Sequence, residues 1–396
     1  MQVKLKFLPE ETITKARALY PHTAGGRIYF NHAATGPLST RVLKAIGEHL
    51  AGRSAGAIDT YRTDLRIVIS CRSAVQRLIN AESADRIAFT LNTSDGVNVV
   101  ASGLPWKTGD RIVLNDAEFP ANVQPYYHLK KNGVEIDMLP AHDERITPEM
   151  IERAITPRTR VVALSAVQFL SGFRADLASI GDFCRRKKIW FVVDGIQALG
   201  ALKIDVQEMK IDALASGSQK WQMAPHGTGF LYVTQEMQDA IAPAHVGWLS
   251  VAEPWQFFKL DQPLAASARR YEGGTLNLPG IIGMNAALET LLEFGIDAIE
   301  PHILALNELL IEQLQSMNEF ELITPLSPEE RSGIVTVLPK EEINPDSVFQ
   351  YMAERKVDIS LREGKLRFSP HYYNTQEEIL AAIDILKEAV HRRGEK

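Results

Sequence analysis

A chain of 396 residues, 45% hydrophobic and 23% charged, has the composition of an ordinary globular protein with length for two or three domains. Its net charge of −6 argues against nucleic acid or an anionic membrane surface as the main partner, and no apolar run reaches the roughly 18 residues of a membrane span. Two cysteines, Cys71 and Cys184, exclude a disulfide framework and a zinc spacing, so no metal site is expected. The first ten residues lack the long apolar region and small-residue cleavage site of a signal peptide, and a cytoplasmic protein is expected.

In chain order, residues 27–37 read as a short strand and a turn, and helical periodicity follows over about 39–50 and 61–79. Strand and helix then alternate. The strand candidates are 86–90, 111–114, 134–139, 161–165, 189–193, 211–215 and 229–233, with helices including 95–102, 121–130 and 177–187 between them. Most of these strands are continuous apolar runs, as suits strands covered by helices on both faces. A doubly wound α/β domain with about seven mostly parallel strands is expected over 26–275. The pattern changes after Thr275. Long helices over 280–294 and 299–316 lead to strand-like 320–324 and 333–338, a helix over 345–355, and strands 357–361 and 365–369 around a hairpin turn at Arg362-Glu363-Gly364. A last helix opens on the capping-box pattern Thr375-Gln376-Glu377-Glu378. These parts form a smaller α+β domain over 276–396, joined by residues 1–25.

One stretch concentrates chemistry. Ser216-Gly217-Ser218-Gln219-Lys220 follows an apolar strand and precedes another, so a single lysine stands among small and apolar neighbours. Such surroundings disfavour the ammonium ion and free the neutral amine for Schiff-base formation. Upstream, Asp194 ends the strand Trp190-Phe191-Val192-Val193, the edge where open α/β sheets place ligands. An amine for an imine and a carboxylate for a pyridinium nitrogen are the two groups that pyridoxal phosphate (PLP) requires. Asn92-Thr93-Ser94-Asp95 opens a helix after a strand, and its unpaired N–H groups suit a phosphate. No Gly-x-Gly-x-x-Gly or phosphate-loop motif supports a nucleotide-binding alternative.

The Ser-Gly-Ser-Gln-Lys motif, Asp194-Gly195-Ile196-Gln197 and Gly273-Gly274-Thr275-Leu276-Asn277, in that order, resemble the class V aminotransferase and cysteine desulfurase superfamily of fold type I PLP enzymes. The likeness spans nearly the whole chain. It implies that Lys220 forms the Schiff base and moves the substrate α-proton, that Asp194 faces the pyridine nitrogen, and that Gln168 or Gln197 lies near the ring's phenolic oxygen. Thr93, Ser94 and Asp95, with Ser218 or Gln219, are then expected at the phosphate. Gly274 and Thr275 are expected at the phosphate of a neighbouring subunit in a homodimer with shared sites. Phe119 stands where desulfurases carry a histidine stacked on the ring; it can stack but not transfer protons. Arg367 matches the arginine that grips the α-carboxylate of an amino-acid substrate, with Asn31 and His32 expected beside it. Desulfurases also place a nucleophilic cysteine shortly before this arginine, and this chain has none there. The motif around Arg367 and Phe-Pro-Ala-Asn are more similar to the branch labelled isopenicillin N epimerase-like. An aminotransferase is the first reading, a β-lyase or epimerase the second, and a non-enzymatic PLP-binding protein a remote third.

Overall fold

The computed structural model describes residues 5–141 and 145–391. After a short strand β1 (Ile28–Tyr29) come seven strands: β2 (Ile87–Thr90), β3 (Arg111–Asn115), β4 (Glu135–Leu139), β5 (Thr159–Ser165), β6 (Trp190–Asp194), β7 (Ala213–Gly217) and β8 (Gly229–Val233). They form one sheet in the order β2-β8-β7-β6-β5-β3-β4, in which β8 alone runs against its neighbours. Alternate strand residues feed separate cores. Val162, Leu164, Phe191, Val193 and Leu214 pack with helices Tyr61–Ile79, Leu177–Lys187 and Leu278–Phe294. Val161, Ala163, Val192, Ala213 and Ala215 pack on the other side with helix Thr93–Gly103 and with Tyr126 and Met237. Both faces of a period-2 strand are therefore covered, which is why these strands read as unbroken apolar runs.

A second sheet, β9 (Phe320–Leu322), β10 (Val335–Pro339), β12 (Ser360–Arg362) and β13 (Lys365–Phe368), is antiparallel in the order β12-β13-β10-β9. Between β10 and β12, β11 (Val357–Asp358) leaves this sheet and pairs in parallel with β1. The expected single strand over 357–361 is thus two strands that change partners at Ile359. Helices Ile296–Gln315, Pro345–Glu354 and Gln376–His391 cover this unit around Leu310, Val348, Met352, Ile383 and Leu386, with Phe30 brought in from the N-terminal segment. Helix Leu278–Phe294, expected with the second unit, buries Met284, Leu288 and Leu291 in the large sheet's core instead.

One local expectation is modified. The helix expected over 121–130 is broken into a four-residue α-turn, Gln124–Tyr127, between 3-10 turns, because Pro125 has no N–H to donate into a continuing helix. The capping box at Thr375 is present: Glu378 N donates to Thr375 Oγ1 and Thr375 N to Glu378 Oε2, each at 3.2 Å. The units are fastened by hydroxyls of the smaller unit that donate to carbonyls of the loop after β5. Thr336 donates to Leu170 O, Thr324 to Ser171 O and Ser332 to Gly172 O. That loop carries two residues of the site.

Candidate active site

The C-terminal ends of β3, β5, β6 and β7 lie side by side, with that of β2 at the same edge of the sheet beyond the antiparallel β8, and register places Ser165 opposite Asp194 and Asp194 opposite Ala215. Lys220 follows β7 by three residues. Its backbone is gripped from several sides: Gly36 N donates to Gln219 O at 2.8 Å, Ala224 N to Ser218 O at 3.0 Å, and His371 Nε2 to Trp221 O at 2.8 Å. Among the described residues the ammonium of Lys220 has no ion pair, and Nζ sits 5.7 Å from the centroid of the Phe119 ring. Burial pushes its pKa down, against the pull of Asp194; the positive charges of Arg367 and Arg362 push it down further.

Asp194 is buried at the end of β6, where Oδ1 accepts from Ile196 N at 2.9 Å. Burial drives its pKa up; the Ile196 N–H and Lys220 oppose this, and Glu118 adds to it. Glu118, which the sequence did not single out, is the centre of a buried network. It accepts five hydrogen bonds, from Asn115 Nδ2, Asn122 Nδ2, Ser165 N, Ser165 Oγ and Gln168 Nε2. It anchors the loop that carries Phe119. That ring is 46% exposed, is held edge-on to Phe169 at 5.3 Å, and lines an open cleft with Ser94, Asn98 and Tyr127.

Helix Thr93–Gly103 points its N-terminus into the same region. Its cap is Asn92, whose side chain accepts from Asp95 N at 2.9 Å, while Asp95 Oδ2 accepts from Leu91 N at 3.0 Å. Asp95 therefore serves the cap, and its carboxylate is no donor to a phosphate. Thr93 Oγ1 accepts from Gly217 N at 2.8 Å and keeps its own proton to donate; Ser94 stands beside it at the first turn. Ser218, expected at a phosphate, is turned inward, its hydroxyl bonded to Thr228 O and Thr228 Oγ1. Since Thr228 Oγ1 donates to Pro225 O, the Ser218 proton points to Thr228 and not outward. Gln219 keeps a buried Oε1 without a partner among the described residues. Thr275 is exposed and Gly274 half-buried, beside the Trp248 indole.

The expected glutamines differ. Gln168 gives Nε2 to Glu118 and leaves Oε1 buried and, among the described residues, unpartnered. Gln197 has both ends engaged: Nε2 donates to Ala33 O at 3.0 Å and Oε1 accepts from Trp221 Nε1 at 2.9 Å, which makes it a strut beneath the lysine loop.

Arg367 is 2% exposed. Nη1 donates to Phe169 O and Nη2 to Ser360 Oγ at 3.3 Å, while Nε has no partner. No carboxylate pairs with it among the described residues. Burial, and after it the positive charge of Arg362, lower its pKa to about 10. A buried guanidinium without a counter-charge is costly unless a ligand supplies one. Contacts run continuously from Lys220 to Phe119, to Phe169 and to Arg367. His32 does not join them as a substrate contact. It is fully buried, with Nδ1 on Ser369 O and Nε2 on Tyr373 Oη, each at 2.8 Å. A carbonyl only accepts, so Nδ1 carries the proton and Nε2 accepts from the tyrosine. Asn31 is closer to the expected role, since Oδ1 accepts from Ser360 Oγ, the hydroxyl that also bonds Arg367.

The class V aminotransferase model matches residues 28–381, which takes in every element of this site. The chain belongs to the class V aminotransferase family. A probable cysteine desulfurase of Methanothermobacter thermautotrophicus is 28% identical, with 91% of this chain and 94% of that one covered. Another, of Borreliella burgdorferi, is 30% identical over 92% of each. Among solved structures, the cystine C–S lyase C-DES with its product cysteine persulfide superposes with a TM-score of 0.85. It shares 25% identity, over 93% of this chain and 98% of that one. A C-DES mutant with glycine covalently linked to its PLP cofactor gives a TM-score of 0.86 at 24% identity and the same coverage. The architecture is that of fold type I PLP enzymes.

Class V aminotransferases are PLP enzymes, and the residues here fit that cofactor. Lys220 offers a buried, deprotonation-prone amine, Asp194 a carboxylate with Oδ2 unpartnered among the described residues, and Phe119 an apolar face. The first turn at Thr93 and Ser94 offers N–H and O–H donors to a phosphate. Bound there, PLP supplies an electron sink for charge developing at an amino acid's α-carbon.

Proposed function

We propose that this chain acts at the α-carbon of an amino acid without a protein thiol, and that transamination is its reaction. The observation that carries the substrate class is Arg367, a buried guanidinium with no counter-charge, linked by contact to the Phe119 and Lys220 walls of one site. Its planar fork suits an α-carboxylate. Lys220, whose amine is disposed to lose its proton, takes the α-proton and returns it. Asp194 holds the opposite charge at the sheet edge.

Two features favour transamination over the desulfurase reaction named for the relatives. The residues before Arg367 form a two-residue hairpin turn, Glu363-Gly364, with no cysteine. Cys71 and Cys184 are buried on helices within the large core, where burial pushes both thiols up and keeps them protonated. Phe119, a hydrocarbon over the site, offers no acid to a basic leaving group. β-Elimination with a good leaving group is the second reading, favoured by the likeness to the cystine lyase. The isopenicillin N epimerase-like branch remains consistent with the motif around Arg367 and fits either chemistry.

A screen of amino acids against the PLP-loaded protein, without an amino acceptor, tests this. Transamination yields one keto acid per site with a lasting change in cofactor absorbance, and an added keto acid restores the spectrum. Repeated release of ammonia and a keto acid without an acceptor selects elimination. No spectral response to any amino acid contradicts the proposal.

A further inference from the structure

The hairpin that carries Arg367 has a charge pattern which α-carboxylate binding does not use. In β12, alternate residues share a face, so Arg362 lies on the same face as Ser360. Directly opposed residues of antiparallel strands also share a face, and the register pairs Ser360 with Arg367 and Arg362 with Lys365. Ser360, Arg362, Lys365 and Arg367 therefore line one side of the hairpin. That side faces the site, because Ser360 Oγ accepts from Arg367 Nη2 and Arg367 reaches Phe169. On the opposite side Leu366 is buried and Leu361 packs into the small core.

Three cations on one short face are unusual when nothing balances them. Among the described residues, the side chains of Arg362 and Lys365 make no hydrogen bond or ion pair, and Arg367 bonds only a carbonyl and a hydroxyl. The charge of Arg362 acts on both Lys220 and Arg367. Glu363 and Gly364 both have positive φ, 47° and 72°, the geometry of a tight two-residue hairpin, which sets the backbone at Arg362 and so the face of the hairpin from which its side chain leaves. An arginine placed only for solubility has no reason to stand where it repels two buried cations.

We propose that Arg362, supported by Lys365, forms a second anion subsite beside Arg367, and that the substrate is an amino acid with an acidic side chain. This rests on the reading that Arg367 takes the α-carboxylate. Arg367 then grips one carboxylate from the floor of the site, and Arg362 meets the second anionic group, a carboxylate or sulfinate, from the exposed lip.

The test compares two four-carbon acids as ligands of the PLP-loaded protein, by calorimetry and by the cofactor's absorbance. Succinate binds at least about tenfold more tightly than butanoate, as expected for one additional charge-assisted contact. Arg362→Gln removes that preference and leaves butanoate binding nearly unchanged, Arg362→Lys restores part of it, and Arg367→Gln weakens both ligands. Equal binding of the two acids, failure of both to bind, or an equal loss of both in Arg362→Gln overturns the subsite. A turnover arm separates this result from the function itself. Aspartate and glutamate are expected to outrun asparagine and glutamine, and if the amides react equally well the subsite falls while amino-acid chemistry stands. If no amino acid reacts, the functional proposal falls, and the succinate-to-butanoate ratio still decides the subsite.

Discussion

Lys220 and Arg367 divide the work at the level of single residues, and substitutions should separate them. Lys220→Ala is expected to keep some PLP without a covalent link and to turn over nothing; borohydride reduction of the wild type should label Lys220 alone, as mapped by peptide mass spectrometry. Arg367→Ala is expected to cost about 2–4 kcal/mol in kcat/KM, the range for removing one partner of a buried charged contact. A loss under threefold would show that the α-carboxylate lies elsewhere. The positions of Lys220, Asp194 and Arg367, just after a strand, at a strand end and in a strand, were legible in the sequence because local pattern fixes them. Glu118 was not, because its donors converge from the end of β3 at Asn115, the turn at Asn122, the end of β5 at Ser165 and the loop after it at Gln168. The bonds that occupy His32 and Ser218 were not legible for the same reason: they go to partners such as Tyr373 and Thr228, which no local pattern reveals.

The elements around Lys220 work as a frame. A Cβ on Gly36 would collide with Lys220 O and approach Met223 Cγ to 2.7 Å, so Gly36→Ala should displace the lysine loop. Its kcat is expected to fall at least about tenfold, since a small misplacement of a reacting group suffices for that, with the circular dichroism spectrum unchanged. His371 braces the same loop from the C-terminal segment, donating Nε2 to Trp221 O and accepting Tyr372 N on Nδ1, each at 2.8 Å. Burial lowers its pKa to about 3. The unfolded chain therefore takes up a proton near pH 6.5 that the folded protein refuses, and the stability tied to neutral His371 is lost as pH falls from about 6.5 towards 3. Relative to wild type, His371→Gln should be most destabilised at pH 7. That difference should shrink by about 1.4 kcal/mol per pH unit between pH 6 and 4, measured by urea unfolding. A pH-independent difference would mean the imidazole titrates normally. The helices and the seven-strand sheet were legible because apolar periodicity is strong in covered strands. The change of partner at Ile359 was less so, since it depends on tertiary pairing, whereas the break at Pro125 follows from the missing N–H of a residue visible in the sequence.

At the scale of the whole molecule, the family likeness leads us to expect a homodimer whose sites draw on both chains. Exposed Thr275 lies two residues past Gly273, beside a surface that shows Trp248, Trp255, Phe257, Phe258 and Leu260 to solvent. Thr275→Ala is expected to weaken cofactor retention by about 1–2 kcal/mol, the scale of one hydrogen bond to a charged group, and a fully active monomer in dilute solution would contradict the shared site. The central claim is that the protein acts on its substrate with Lys220 and no protein thiol, although many of its relatives are named for desulfuration. Persulfide trapping followed by mass spectrometry tests this most directly, on the PLP-loaded wild type and on Cys71→Ala/Cys184→Ala after exposure to cysteine. No persulfide is expected on either cysteine of the wild type, and amino-acid turnover is expected to be undiminished in the double variant. A persulfide on Cys71 or Cys184, lost together with turnover in that variant, would contradict it.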